Sequence, residues 1–237
     1  MLLVVISQLS PEKKKLIRKI GFGSILDLNC SSKINDIFVW LIDQLDTTSG
    51  TITFQNGFSF TITPMFVFKI LGIPFGSKPV VINESNEASK FIHGVVHMES
   101  PTVEHLCALL TKDLDEESFT RIFMLLLLDA FLAPDGSNVP SSAYFNNLIH
   151  IDEIPQLDWC TFTLNWLMLQ IKKFKLRRLQ GIDEEIGGCK FILVVCCSFV
   201  LKIFHVVLFI FFSDLMKSKL IYVSYLTDIF LGISHNF

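Results

Sequence analysis

His93 and His97 are the first residues whose spacing suggests chemistry. On a helix, two histidines at i and i+4 face one side, as they do in H-E-x-x-H metal sites. Glu99, Glu104 and His105 lie close enough in sequence to complete a ligand set. Position 94 is glycine, so the glutamate that serves such enzymes as general base is missing. We therefore expect surface or core histidines and assign no metal ligand. A metal-dependent enzyme built on His93 and His97 is kept as an alternative.

The second chemical signal is basic. Lys172, Lys173, Lys175, Arg177 and Arg178 form a run that could contact phosphates or act as a nuclear import signal. The same run suits the last turns of a helix, where cations offset the macrodipole. We adopt the second reading for the fold; the first keeps nucleic acid as a candidate partner. Phe174, inside the run, is expected in the core and not as a base-stacking platform. Asp113, Asp115, Glu116 and Glu117 lack the spacing and glycine of a calcium loop and read as helix-capping acids. Gly76-Ser77-Lys78 is not a phosphate-binding loop, and no G-x-S-x-G elbow is present. No catalytic residue is assigned.

Such side chains need a frame. The stretch 119–133, FTRIFMLLLLDAFLA, is broken only by Thr120, Arg121 and Asp129. A helix that is apolar nearly all round is buried on nearly all sides. It is shorter than the roughly 20 residues that cross a bilayer, so it reads as the central helix of a globular core. Ile122, Phe123, Leu126, Leu127, Ala130 and Phe131 are its expected core residues. Around it, Ser10-Pro11 opens a helix that stops at Gly21, and Thr63-Pro64 opens another that stops at Gly72. Ile37, Phe38, Trp40, Leu41 and Leu45 predict a helix over about 33–45. Further helices are expected over about 87–95, from Ser100-Pro101 to Thr111, over 140–148, and from Asp158 through WCTFTLNWLMLQIKKFKLRRL. Residues 51–63, TITFQNGFSFTIT, predict a small hairpin around Asn56-Gly57. The tryptophans at 40, 159 and 166 are expected in the core.

The totals agree with a globular chain. It has 237 residues, 51% of them hydrophobic, with 23 Phe and a net charge of -3. This excludes a disordered chain and any bulk electrostatic pull toward nucleic acid. The six cysteines form no C-x-x-C pair and are expected as reduced thiols. The N-terminus, MLLVVISQLS, lacks the leading charge and the length of a signal peptide.

Five stretches carry a resemblance. SPEKKKLIRKIGFGSILDL (10–28), WLIDQLD (40–46), FTITPMFVFKILGIPFGSKPV (60–80), RIFMLLLLDAFLAP (121–134) and DWCTFTLNWL (158–167), followed by the basic run and IGGC (186–189), resemble in that order the aminotransferase-like plant mobile domain family. The resemblance covers about residues 10–190. It implies a transposon-derived nuclear protein connected with transposon biology or gene silencing, with protein partners still unknown and no catalytic residues to transfer. The aminotransferase-like label implies no activity here. No lysine stands in a Schiff-base setting and no loop suits pyridoxal phosphate, so no cofactor is expected.

The remaining residues, 191–237, change character: they contain no proline and eight phenylalanines. The stretch 191–212, FILVVCCSFVLKIFHVVLFIFF, has transmembrane length. Its apolar residues favour insertion by on the order of 5–10 kcal/mol, and Lys202 opposes this by about 2.5–3.5 kcal/mol. Two readings stand. One is a membrane anchor, with the basic residues before it held on the cytosolic side. The other is a truncated domain followed, from about residue 195, by intron read-through, since thymine-rich codons specify these residue types. The expectation is then a mainly α protein. It has one helical globular domain over 10–190 with a small hairpin at 51–63, and a hydrophobic helical tail over 191–237. It serves as a non-catalytic binding or scaffold module.

Overall fold

Helices of this chain begin where a short oxygen-bearing side chain can accept the orphan amides of a first turn. The computed structural model describes residues 2–28, 35–54, 57–182, 185–196 and 198. After α1 (Leu2–Gln8), Ser10 caps α2 (Pro11–Lys19) by accepting from the Lys13 amide. A 3-10 turn (Gly23–Asp27) and α3 (Asn35–Asp43) follow. Three strands, β1 (Leu45–Asp46), β2 (Thr51–Thr53) and β3 (Ser59–Thr61), form an antiparallel sheet in that order. Thr63 caps α4 (Pro64–Leu71), which precedes the two-residue strand β4 (Lys78–Pro79). Ser85 caps α5 (Asn86–Val96) and Thr102 caps α6 (Val103–Leu110). Asp115 accepts from the Glu117 and Ser118 amides to start α7 (Glu116–Leu127). The chain continues through a π-helical turn (Leu128–Leu132) and 3-10 helices at Ser142–Leu148 and Ile154–Gln156. Strand β5 (Leu157–Asp158) pairs in parallel with β4, and Asp158 caps α8 (Trp159–Leu179). Residues 190–196 are helical. The described chain is mainly helical with a small antiparallel sheet.

Helix α7 is the centre. Every residue from Phe119 to Leu127 is buried, and α2, α5 and α6 lie against it. Its one buried cation is held on several sides. Arg121 Nε donates to the Leu148 carbonyl at 3.1 Å and Nη2 to the Ile149 carbonyl at 2.9 Å. Nη1 pairs with Glu117 at 2.9 Å, and the guanidinium lies 5.0 Å over the Phe91 ring. One side chain thus ties α7 to the end of the 142–148 helix and to α5.

Several expectations are corrected by this packing. The helix predicted to reach residue 45 stops at Asp43, and Leu45–Asp46 becomes a third strand on the hairpin. The Asp46 carboxylate causes the turn, accepting from the Thr48 amide and the Ser49 hydroxyl. Trp40 is 50% exposed and leans on Phe54, whereas Trp159 and Trp166 are buried. The cap at the start of α6 is Thr102, not Ser100, because its hydroxyl reaches the His105 amide. The helix expected over 140–148 is present, as a 3-10 helix over Ser142–Leu148. Ala130 and Phe131 are only half-buried, since the π turn swings them off the α7 axis. The hairpin residues 55 and 56 and the stretch 199–237 lie outside the described residues.

Phe191, Ile192, Leu193 and Cys196 are buried in the same core, and Phe131 meets Phe191 at 6.2 Å. Gly187 and Gly188 make this docking fit. The Gly188 amide donates to the Pro134 carbonyl at 2.6 Å, and its φ is +80°. A Cβ there would sit 2.8 Å from Leu167 Cα.

Urea unfolding at neutral pH tests both layers. Leu126→Ala, at a site with no solvent contact, is expected to lose roughly 2–5 kcal/mol. Gly188→Ala is expected to lose about 1–3 kcal/mol through backbone strain and displacement of α8. A loss under about 0.5 kcal/mol in either, the range of ordinary surface changes, contradicts the packing described.

Candidate functional site

The β1–β2 turn and α8 do not meet fully, and a groove of about 500 Å³ lies between them. One wall is residues 47–50 with Thr61, Ile62, Thr63 and Pro64; the other is the α8 face carrying Leu164, Asn165, Met168, Leu169 and Lys172. The first wall is mostly hydroxyls, several already engaged. Ser49 donates to Asp46 at 2.7 Å, Thr51 and Thr61 share a bond of 2.9 Å, and Thr63 accepts the Phe66 amide. The Thr48 amide and Ser49 hydroxyl hold the Asp46 carboxyl below its usual range, so it stays ionised and occupied. On the α8 wall, Asn165 and Lys172 are exposed and form no hydrogen bond or ion pair with the described residues.

The basic run divides in two. Lys175 donates to the Leu45 carbonyl at 2.6 Å, capping the outer edge of β1. Arg178 makes a forked contact with Asp43, at 2.9 and 3.4 Å. These two cations fasten the end of α8 to α3 and the sheet. Arg177 is exposed and also engaged. Lys172 and Lys173 are left turned to solvent without partners among the described residues. The five residues therefore do not make one continuous basic face. Phe174 is half-buried against the core, as its spacing predicts.

The two histidines separate. α5 ends at Val96, and His97 is its C-cap with φ +54°, so it leaves the helical face that His93 occupies. His93 stands edge-on to Phe145, and His105 bonds the Val96 carbonyl through Nε2. Among the described residues no three of His, Cys, Asp and Glu are arranged to hold a metal ion. Burial pushes the Cys160 thiol up to about 12 and raises Cys107 as well, so both are protonated at neutral pH. Two buried atoms on α8, Thr163 Oγ1 and Gln170 Nε2, have no partner among the described residues, and neither lines the groove.

Residues 1–194 match the model of a protein family described as a domain of unknown function, DUF8566. The chain belongs to this family. No curated protein and no solved structure matches it. The DUF8566 match runs from α1 into the docked 190–196 helix, taking in the elements that share the core.

Within this DUF8566 domain the sequence reading passed over one titratable group, Asp129. In the sequence it is only a break in an apolar run. The π turn, marked by the Ala133 amide donating to the Leu128 carbonyl at 2.7 Å, carries Asp129 inward to 6% exposure. No hydrogen bond reaches its carboxylate from the described residues. Burial, with the negative charges of Asp135 and Glu104 beside it, raises its pKa to about 6. Tyr144 lies close enough for Asp129 to add to the rise that burial gives the phenol. The signal available in the sequence was a lone carboxylate in a helix otherwise buried all round.

Asp129 predicts a pH dependence. Unfolded, it titrates near 3.8; folded, near 6, so the folded state holds the proton more tightly. The stability that protonation lends is complete below about pH 4 and is lost as pH rises through 6, an effect of at most about 3 kcal/mol. Asp129→Asn is expected to raise the melting temperature at pH 7.5 and to match the wild type near pH 4. Thermal melts across that range check it, and an Asn variant less stable at pH 7.5 contradicts it.

Proposed function

We propose that this chain is a non-catalytic binding or scaffold module, transposon-derived and of the plant mobile domain kind, that works in the nucleus with protein partners. The observation that carries the reading is how the polar side chains are used. Asp115 and Asp158 cap helices; Arg121, Lys175 and His105 hold backbone carbonyls; Arg178 holds Asp43. Among the described residues, the charges that act on Asp129 are two more acids, Asp135 and Glu104, and the Tyr144 phenol near it is buried and held protonated. An acyl- or phosphoryl-transfer site needs a nucleophile, a base and an electrophilic donor converging on one point. The family resemblance supports the nuclear setting and the transposon origin. Its stretches 10–28, 60–80, 121–134 and 158–167 coincide with α2 and its following turn, β3 with α4, the buried rod, and the first half of α8.

The hydrophobic tail bears on location. The apolar stretch 191–212 gives its first residues to the globular core, where Phe191, Ile192 and Leu193 are buried. What is left, 197–212, is shorter than the roughly 20 residues a bilayer helix needs. No helix among the described residues is long and apolar enough to cross a membrane. The burial of Phe191, Ile192 and Leu193 in the core supports the module reading over the membrane anchor.

Fractionation of cells expressing the tagged full chain tests the proposal. The expected result is nuclear recovery, release by alkaline carbonate, and a reproducible set of cross-linked protein partners. Retention in the carbonate-washed membrane pellet, or nuclei that yield no cross-linked partner, contradicts it.

A further inference from the structure

The one charged residue in the lining of the groove between the 47–50 turn and α8 is a cation. Lys172 stands on its α8 wall with no partner among the described residues, and Lys173 follows it at the surface. The nearest acid in the chain, Asp46, precedes the opposite wall, is not part of the lining, and accepts from the Thr48 amide and the Ser49 hydroxyl. A free cation facing hydroxyls calls for a ligand that brings an anion and hydrogen-bonding groups together. Met168 and Leu169 add an apolar floor on the same wall.

The sheet adds main-chain partners. β3 is an edge strand, and Ile52↔Phe60 is flanked by the bonds Phe54 N–H to Phe58 and Ile62 N–H to Gly50. That alternation turns the Thr61 amide and carbonyl away from β2, off the sheet's open edge. Thr61 also lines the groove. An exposed edge of this kind accepts an added extended chain.

We propose that this groove binds an extended acidic peptide, with a carboxylate of the peptide on Lys172 and its backbone against Thr61 and the neighbouring hydroxyls. The inference rests on reading the chain as a binding module and names its partner class. The lining favours peptide over nucleic acid. It contains no aromatic ring to stack a base, and two adjacent free lysines fall short of the row of phosphate contacts that nucleic acid requires. Its volume of about 500 Å³ receives a few side chains and not a folded partner.

The test uses the full chain and a fluorescein-labelled peptide of about eight residues alternating Glu and Val, read by anisotropy. The wild type is expected to bind, and Lys172→Glu to weaken binding about five-fold or more. Raising salt from about 50 to about 500 mM should also weaken it. Lys15→Glu, exposed on α2, should leave binding unchanged. Equal melting temperatures of wild type and Lys172→Glu keep the comparison on binding. Unchanged affinity in Lys172→Glu, equal binding of a peptide with Lys in place of Glu, or displacement by a single-stranded oligonucleotide overturns the proposal. Wild type that ignores the acidic peptide while still capturing partners in nuclei also overturns it, and leaves the module reading standing.

Discussion

Arg121 has to be buried because the helix that carries it is buried. α7 has no solvent face between Phe119 and Leu127, so the guanidinium goes inward with its neighbours. An unpaired charge in that position costs several kcal/mol. The cost is offset by two backbone carbonyls, one carboxylate and one aromatic face. Leu148 and Ile149 are at the end of a 3-10 helix, where carbonyls have no partners of their own. One residue therefore solves two problems, and the solution fixes where the 142–149 segment and α5 sit. The rest of the helical body takes its place around that arrangement.

α8 transmits the arrangement to the surface. Its first half is buried against α4, and its second half is basic and reaches α3 and the sheet through Lys175 and Arg178. These two contacts hold the sheet at a set distance from the helix. The groove is the space left over, and Lys172 and Lys173 are the cations that the fastening does not use. Structure and proposed function meet here: Lys175 and Arg178 are used by the fold, and Lys172 is the charge on which the proposed peptide contact rests.

The sequence reading worked where a long period or a cap carries the signal. α8 begins after Asp158 and spans the residues read from the letters, and α2 and α4 start at their Ser-Pro and Thr-Pro pairs. It failed where partners are distant or elements are short. β4 and β5 have two residues each, too few to show a period, and their partners lie 79 positions apart, Lys78 opposite Leu157. Leu45 sits at a helical apolar position, yet strand pairing with Ile52 claims it. The π turn is not legible because the run is apolar on nearly every face, and its one polar residue, Asp129, does not show by itself that the pitch changes. His97 matched a metal spacing but lies in a left-handed cap. The groove has no motif because it joins a turn, a strand end and a helix face.

Native-state hydrogen exchange measures the central constraint most directly, residue by residue. If α7 is the enclosed rod, the amides over 120–132 exchange only through global unfolding and share one protection free energy, the highest in the chain. The ends of α3 and α8 should open well below it. Fast local exchange within 120–132, with higher protection in α5 or α8, would mean that the centre of this domain lies elsewhere.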